Sequence, residues 1–121
     1  MLRTKNPAYD KSYAFALRIV EVCDQLNDQK RQHVLSNQLL RSGTSIGANL
    51  AEAHASMSRA DLCAKISIAY KECQETKYWL NLLRDSRRLD AATADGLLDA
   101  ANEISKILFS SMRTLRGEKR E

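Results

Sequence analysis

Residues 59–85 read RADLCAKISIAYKECQETKYWLNLLRD. Within them Leu62, Ile66, Ala69, Cys73, Thr76, Leu80 and Leu83 recur at alternating spacings of four and three. A seam of that period lies along one side of an α-helix and needs further helices to cover it. Ser58 followed by Asp61 predicts where the helix starts, through a capping-box-like pairing of side chain and backbone. Lys65, Glu72 and Trp79, seven apart, line one flank of the seam, and Glu72 and Glu75 lie too near it for ordinary solvent charges.

Three more segments carry a helical period. In residues 8–27 the row Phe15, Ile19, Val22 and Leu26 runs beside a second row of Tyr9, Tyr13, Ala16, Val20 and Cys23. The combined apolar face is wider than one helix–helix seam requires, so a lone bundle would expose part of it. The polar run Asn27–Arg31 is expected to end that helix. Residues 32–56 place Leu35, Leu39, Ser42, Ile46, Asn49 and Ala53 at heptad spacing, although Gly43 and Gly47 interrupt a helix former's composition. Each glycine costs about 1 kcal/mol relative to alanine inside a helix. The unbroken spacing favours a continuous helix, closely approached by another backbone, over a loop. Residues 91–115 repeat the pattern with Leu97, Ala101, Ile104, Leu108, Ser111 and Leu115, and Gly117 is the expected stop before a charged, frayed tail over 117–121.

Four helices with short connections force antiparallel neighbours, which predicts an all-α, up-down-up-down four-helix bundle formed by residues 1–121 as a single domain. Composition agrees: one Pro and four Gly among 121 residues are too few for an all-β domain. No apolar run approaches the roughly 18 residues of a membrane span, and no secretory h-region follows the start, so a cytoplasmic protein with no membrane partner is expected. Cys23, Cys63 and Cys73 form no CxxC pair, which argues against zinc, and are expected as buried reduced thiols.

The chain carries 19 basic and 15 acidic side chains, a net charge of +4. Two clusters stand out: Arg84, Arg87 and Arg88, then Arg113, Arg116, Lys119 and Arg120. They read either as solvated helix ends or as phosphate contacts to nucleic acid. Catalytic constellations are missing. A di-iron bundle needs Glu-x-x-His pairs, but the positions three before His33 and His54 are Lys30 and Ala51. No nucleophile elbow or phosphate loop is present. The expectation is therefore a non-enzyme with no cofactor and no metal. Arg41, Ser45 and Glu52 share one stripe of the second helix with Asn49 on its seam, and Glu72 and Glu75 lie along the third. These polar residues predict a satisfied buried network that fixes register, with a ligand or partner site as the alternative.

Two runs are similar to a known family. QLLRSGTSIGANLAEA at residues 38–53 and KECQETKYWLNLL at 71–83 resemble motifs of the four-helix-bundle proteins known as 23S rRNA-intervening sequence proteins. The motif positions matched are Arg41, Ser45, Ile46, Asn49, Ala51 and Glu52, then Glu72, Glu75, Tyr78, Trp79 and Leu80. The resemblance implies small bacterial proteins that assemble as ring-like homopentamers. It also implies a branch of retroelement accessory proteins that associate with a reverse transcriptase and bind RNA or DNA through basic surface. This chain is less basic than those accessory proteins and suits the broader, uncharacterised branch. Five chains at +4 each would carry +20, enough to attract a polyanion. A protein–protein scaffold without nucleic acid is the alternative.

Overall fold

A computed structural model describes residues 6–30 and 33–117. It contains four helices: α1 (Pro7–Lys30), α2 (His33–Ala53), α3 (Arg59–Asp85) and α4 (Ala91–Leu115). The bounds of α3 and α4 coincide with the heptad reading. Two ends differ from expectation. The first helix does not stop at residue 27 but continues through Asp28 and Gln29 to Lys30; Gln and Lys are good helix formers, and the low propensity of Asn27 and Asp28 is too small a cost to break a long helix. The second ends at Ala53, not at 56. There the amides of His54, Ala55 and Ser56 turn back to carbonyls three residues earlier, at 3.3, 2.9 and 3.1 Å, and the chain tightens into the bend before Ser58. Residues 118–121, most of the predicted tail and including Lys119, lie outside the described residues, as do Arg31 and Gln32.

Cross-helix contacts establish the antiparallel order. Gly43 and Gly47 of α2 face Ile19 and Ser12 of α1, so rising numbers meet falling ones. Arg41 reaches Glu72, and Lys65 reaches Glu52, across α2 and α3. Arg84 meets Asp95 at one end of α3–α4, while Arg59 meets the Leu115 carbonyl at the other. Lys11 and Glu103 close the ring between α1 and α4 at 3.2 Å. The bundle is up-down-up-down.

The core lies where the four seams converge. Phe15, Ile19, Leu39, Ile46, Leu80, Leu83, Leu97, Ile104 and Leu108 are its large, fully buried side chains. Both glycines of α2 stand inside an unbroken helix; α1 meets Gly43 with the Ile19 side chain, not its backbone, and meets Gly47 with Ser12, backbone included. A Cβ at Gly43 would lie 3.0 Å from two carbons of Ile19, while one at Gly47 would meet Ser12 at an ordinary 3.6 Å. The buried polar pair is Thr76 and Ser42, whose hydroxyls hydrogen-bond across α3 and α2 at 3.0 Å. Cys23 and Cys73 are buried free thiols that donate to the carbonyls of Ser36 and Ala101, and burial pushes each up to about 11. Cys63 departs from the expectation of burial: it is free but only half-buried, lying beside the α3 seam and not on it.

Helix ends follow capping chemistry. Ser58 Oγ accepts from the Asp61 amide at 3.0 Å, and the Asp61 carboxylate accepts in return from the Met57 amide. Asp90 does the same for α4, accepting from the Thr93 amide at 3.0 Å and hydroxyl at 3.2 Å. α3 ends in a Schellman motif: the Arg87 amide donates to the Arg84 carbonyl at 3.0 Å and the Arg88 amide to the Leu83 carbonyl at 2.9 Å. Its left-handed position is Arg87, with φ +64°. Glycine is the favoured residue there, since a Cβ in that conformation costs about 1 kcal/mol or more. The stop of α4 uses the favoured residue, Gly117, with φ +79°.

Candidate functional site

Two regions gather the residues singled out from sequence. The first is the outer face of α2 and α3. Arg41 donates through Nη1 to Glu72 Oε1 at 3.1 Å, through Nη2 to Glu75 Oε2, and through Nε to Gln38 Oε1 at 3.4 Å. Trp79 Nε1 donates to the same Glu75 oxygen at 2.9 Å. The indole hydrogen bond, then the guanidinium, hold the Glu75 carboxyl below the usual carboxylate range. The Glu75 and Glu72 carboxylates in turn raise Arg41 above its ordinary value. A separate pair, Lys65 and Glu52, spans the same two helices at 2.8 Å, and that carboxylate raises the lysine.

Position corrects the picture of a buried network. Arg41 and Glu52 are exposed, and Glu72, Glu75 and Trp79 are only half-buried. The satisfied hydrogen bonds lie on the surface, above the buried Thr76–Ser42 pair. Ser45 and Asn49 do not link helices. Ser45 donates to the Arg41 carbonyl, and Asn49 donates to the Ser45 carbonyl at 2.8 Å, both within α2. Among the motif residues, Arg41, Glu72, Glu75 and Trp79 form one cluster, Glu52 belongs to a second pair, and Ser45 and Asn49 bond locally.

The second region is the set of cations, and the fold divides it. Arg84, Arg87 and Arg88 gather at the α3–α4 connection, whereas Arg113 and Arg116 lie at the far end of α4. The 25 residues of α4 separate the groups by about 36 Å. Among the described residues these five arginines therefore do not form one continuous basic face within a chain. Arg84 is held by Asp85 and Asp95, each at 2.9 Å, and is raised by those carboxylates. Arg59, not singled out from sequence, caps α4 by donating to the carbonyls of Leu115 at 3.0 Å and Thr114 at 3.4 Å. Its partners lie more than fifty residues away, so no local pattern announces it.

The α3–α4 end also holds an open cavity of about 480 Å3. Val22 and Leu26 of α1 and Leu89 of the connection line it, together with Arg84, Arg87 and Arg88. The apolar lining comes from a helix about sixty residues earlier in the chain, which hid the cavity from sequence reading. Among the described residues no group of three or more His, Cys, Asp or Glu is placed to hold a metal, and no helix is long and apolar enough to cross a membrane.

The profile of the 23S rRNA-intervening sequence protein family matches residues 4–110. The chain belongs to this family. A solved structure of a protein with unknown function from the S23 ribosomal protein family of Bacteroides thetaiotaomicron VPI-5482 is 42% identical. It superposes with a TM-score of 0.86 and covers 88% of this chain and 98% of its own. No curated protein matches. In this 23S rRNA-intervening sequence family member, the motif that carries the family resemblance is thus the ion-paired α2–α3 face, while the cavity lies at one end of the bundle.

Proposed function

We propose that this chain is a non-catalytic module that assembles with copies of itself and engages nucleic acid through its basic ends. The observation that carries assembly is a row along the outside of α1. Tyr13, Leu17 and Val20 are 56%, 58% and 42% exposed, on the face turned away from the core row of Phe15, Ile19 and Val22. Three large apolar side chains on adjacent turns of one helix make a surface that water disfavours and a second copy would cover. By family resemblance the assembly is a homopentamer. The absence of a catalytic role rests on the chemistry of the polar face: Glu72 and Glu75 are both ion-paired with Arg41, and the Ser45 hydroxyl is tied to a carbonyl of its own helix. Buried free thiols suit a reducing compartment, hence the cytoplasm.

Nucleic-acid binding draws on the two basic groups, repeated around an assembly, and on the family's association with ribosomal RNA genes. RNA is the first partner to test, DNA the second, and a reverse transcriptase the protein partner that the retroelement branch suggests. One observation favours the other reading, a scaffold without nucleic acid: Arg84 and Arg59 are already engaged by the chain's own acceptors.

Light scattering on the wild type and Leu17→Asp tests assembly. The wild type should show a multiple of 13.7 kDa, and the variant a monomer of unchanged helicity. A monomeric wild type overturns the reading. Titration with single-stranded RNA at several salt concentrations tests the partner, with a logarithmic slope of about −0.7 per phosphate contact. No binding at low salt leaves the scaffold.

A further inference from the structure

We infer that the cavity at the α3–α4 end is a site for a single nucleotide unit, with Arg87 as the group that takes its phosphate. This rests on the nucleic-acid reading for the natural source of the nucleotide, but not for the site itself.

The cavity's volume of about 480 Å3 falls within the range of small-molecule sites. Its lining mixes two chemistries. Val22, Leu26 and Leu89 are apolar residues suited to a base, and Arg84, Arg87 and Arg88 bring guanidiniums suited to a phosphate. Those guanidiniums are not equivalent. Arg84 is matched by Asp85 and Asp95, and the lining carboxylate of Asp90 is committed to the Thr93 amide and hydroxyl. The side chain of Arg87 makes no hydrogen bond or ion pair with any described residue. Its planar fork matches two oxygens of one phosphate, which a lysine could not do.

The backbone supplies an independent observation. Arg87 occupies the left-handed stop of α3, and at the corresponding stop of α4 this chain uses Gly117. Helix termination alone favours glycine at both places. An arginine that opposes the local backbone preference, borders a cavity and has a side chain with no partner among the described residues is placed there for what the side chain holds.

The two roles separate experimentally in Arg87→Gly and Arg87→Gln. Calorimetric titration with adenosine monophosphate should show binding by the wild type, with adenosine bound about tenfold more weakly or worse. Arg87→Gly should lose about tenfold or more in affinity for adenosine monophosphate while its melting temperature rises by about 2–5 °C. Arg87→Gln keeps the Cβ, so it should lose the same affinity without the gain in stability. Lys106→Ala, a distant exposed cation, should change neither. No binding of adenosine monophosphate by the wild type, or equal binding by Arg87→Gly, overturns the site. Short single-stranded RNAs with a 5′-phosphate or a 5′-hydroxyl distinguish the sources. Preference for the 5′-phosphate, lost in Arg87→Gly, supports the site and assigns it to strand ends. Binding of the mononucleotide without RNA supports the site and defeats the nucleic-acid reading. RNA binding that ignores Arg87, with no mononucleotide binding, overturns the site alone.

Discussion

Gly43 of α2 stands so close to Ile19 of α1 that a Cβ on the glycine would lie 3.0 Å from both Cγ atoms of the isoleucine. Ile19 is fully buried and branched, so it has no free direction in which to yield. Gly43→Ala should therefore destabilise the bundle by about 1–2 kcal/mol despite alanine's better helix propensity. Gly47→Ala meets only ordinary contact at 3.6 Å and should stabilise by about 0.5–1 kcal/mol. Denaturant melts of the two variants, and of Gly43→Ala combined with Ile19→Ala, which removes both Cγ atoms, compared with Ile19→Ala alone, check the contrast. Equal effects at both glycines would refute it.

Ser12, beside Gly47, buries a hydroxyl that has no hydrogen-bond partner. Removing an unsatisfied buried polar group relieves its desolvation penalty. Ser12→Ala should raise stability by about 1 kcal/mol, read from the same melts; a loss of stability would mean that the hydroxyl is satisfied.

The chain has one tryptophan, so its fluorescence reports directly on the hydrogen bond from Trp79 to Glu75. Glu75 has its carboxyl lowered in the fold. Its contribution is thus complete above the unfolded carboxylate range near 4.3 and is lost as pH falls through the lower folded value. Emission should shift on acidification below that range in the wild type and not in Glu75→Gln. The half-exposed setting keeps the associated change in stability small.

Alkylation should separate the three thiols. Cys23 and Cys73 are buried and raised to about 11, so at mildly alkaline pH they stay protonated as well as covered. Half-buried Cys63 should react first in the native chain, with all three reacting after denaturation. Because the folded values are raised, the thiol contribution to stability is intact below the unfolded value and declines as pH rises toward 11. Mass spectrometry after a timed quench reads the order; early labelling of Cys73 would contradict the packing.

Capping can be measured at two helices at once. Ser58→Ala and Asp90→Ala should each cost about 1 kcal/mol. The aspartate should be the more sensitive, since its carboxylate accepts from both the amide and the hydroxyl of Thr93.

The fold was legible where one residue type did one job. The seam from Leu62 to Leu83, the Ser58 cap and the Gly117 stop are local patterns, and the bundle follows from them. Boundaries failed where composition was permissive. Nothing in Asn27–Lys30 forbids a helix, and nothing in His54–Ser56 marks a tightened turn. The candidate sites were legible as residue types but not as arrangements. Arg41 and Glu72 are 31 residues apart, and their pairing depends on which way α2 and α3 rotate. The separation of Arg84, Arg87 and Arg88 from Arg113 and Arg116 likewise needs the length of a helix laid out in space. Arg87 carried the most information and the least signal, because only its φ distinguishes a helix stop from another surface cation.

Heptad bundles have a weakness that this one avoids. With apolar residues repeating every seven positions, one helix can slide past another by two turns, about 10 Å, and find a second apolar fit. Sliding α2 by seven residues would bring Leu50 or Ser36 to the place where Gly43 receives Ile19. A leucine there cannot enter the space a glycine leaves, and a serine would press its Cβ and hydroxyl into the isoleucine. The notch at Gly43 accordingly works as a key with a single position, and it sets the rotation and height at which Arg41 meets Glu72 and Glu75 on the opposite side of the same helix.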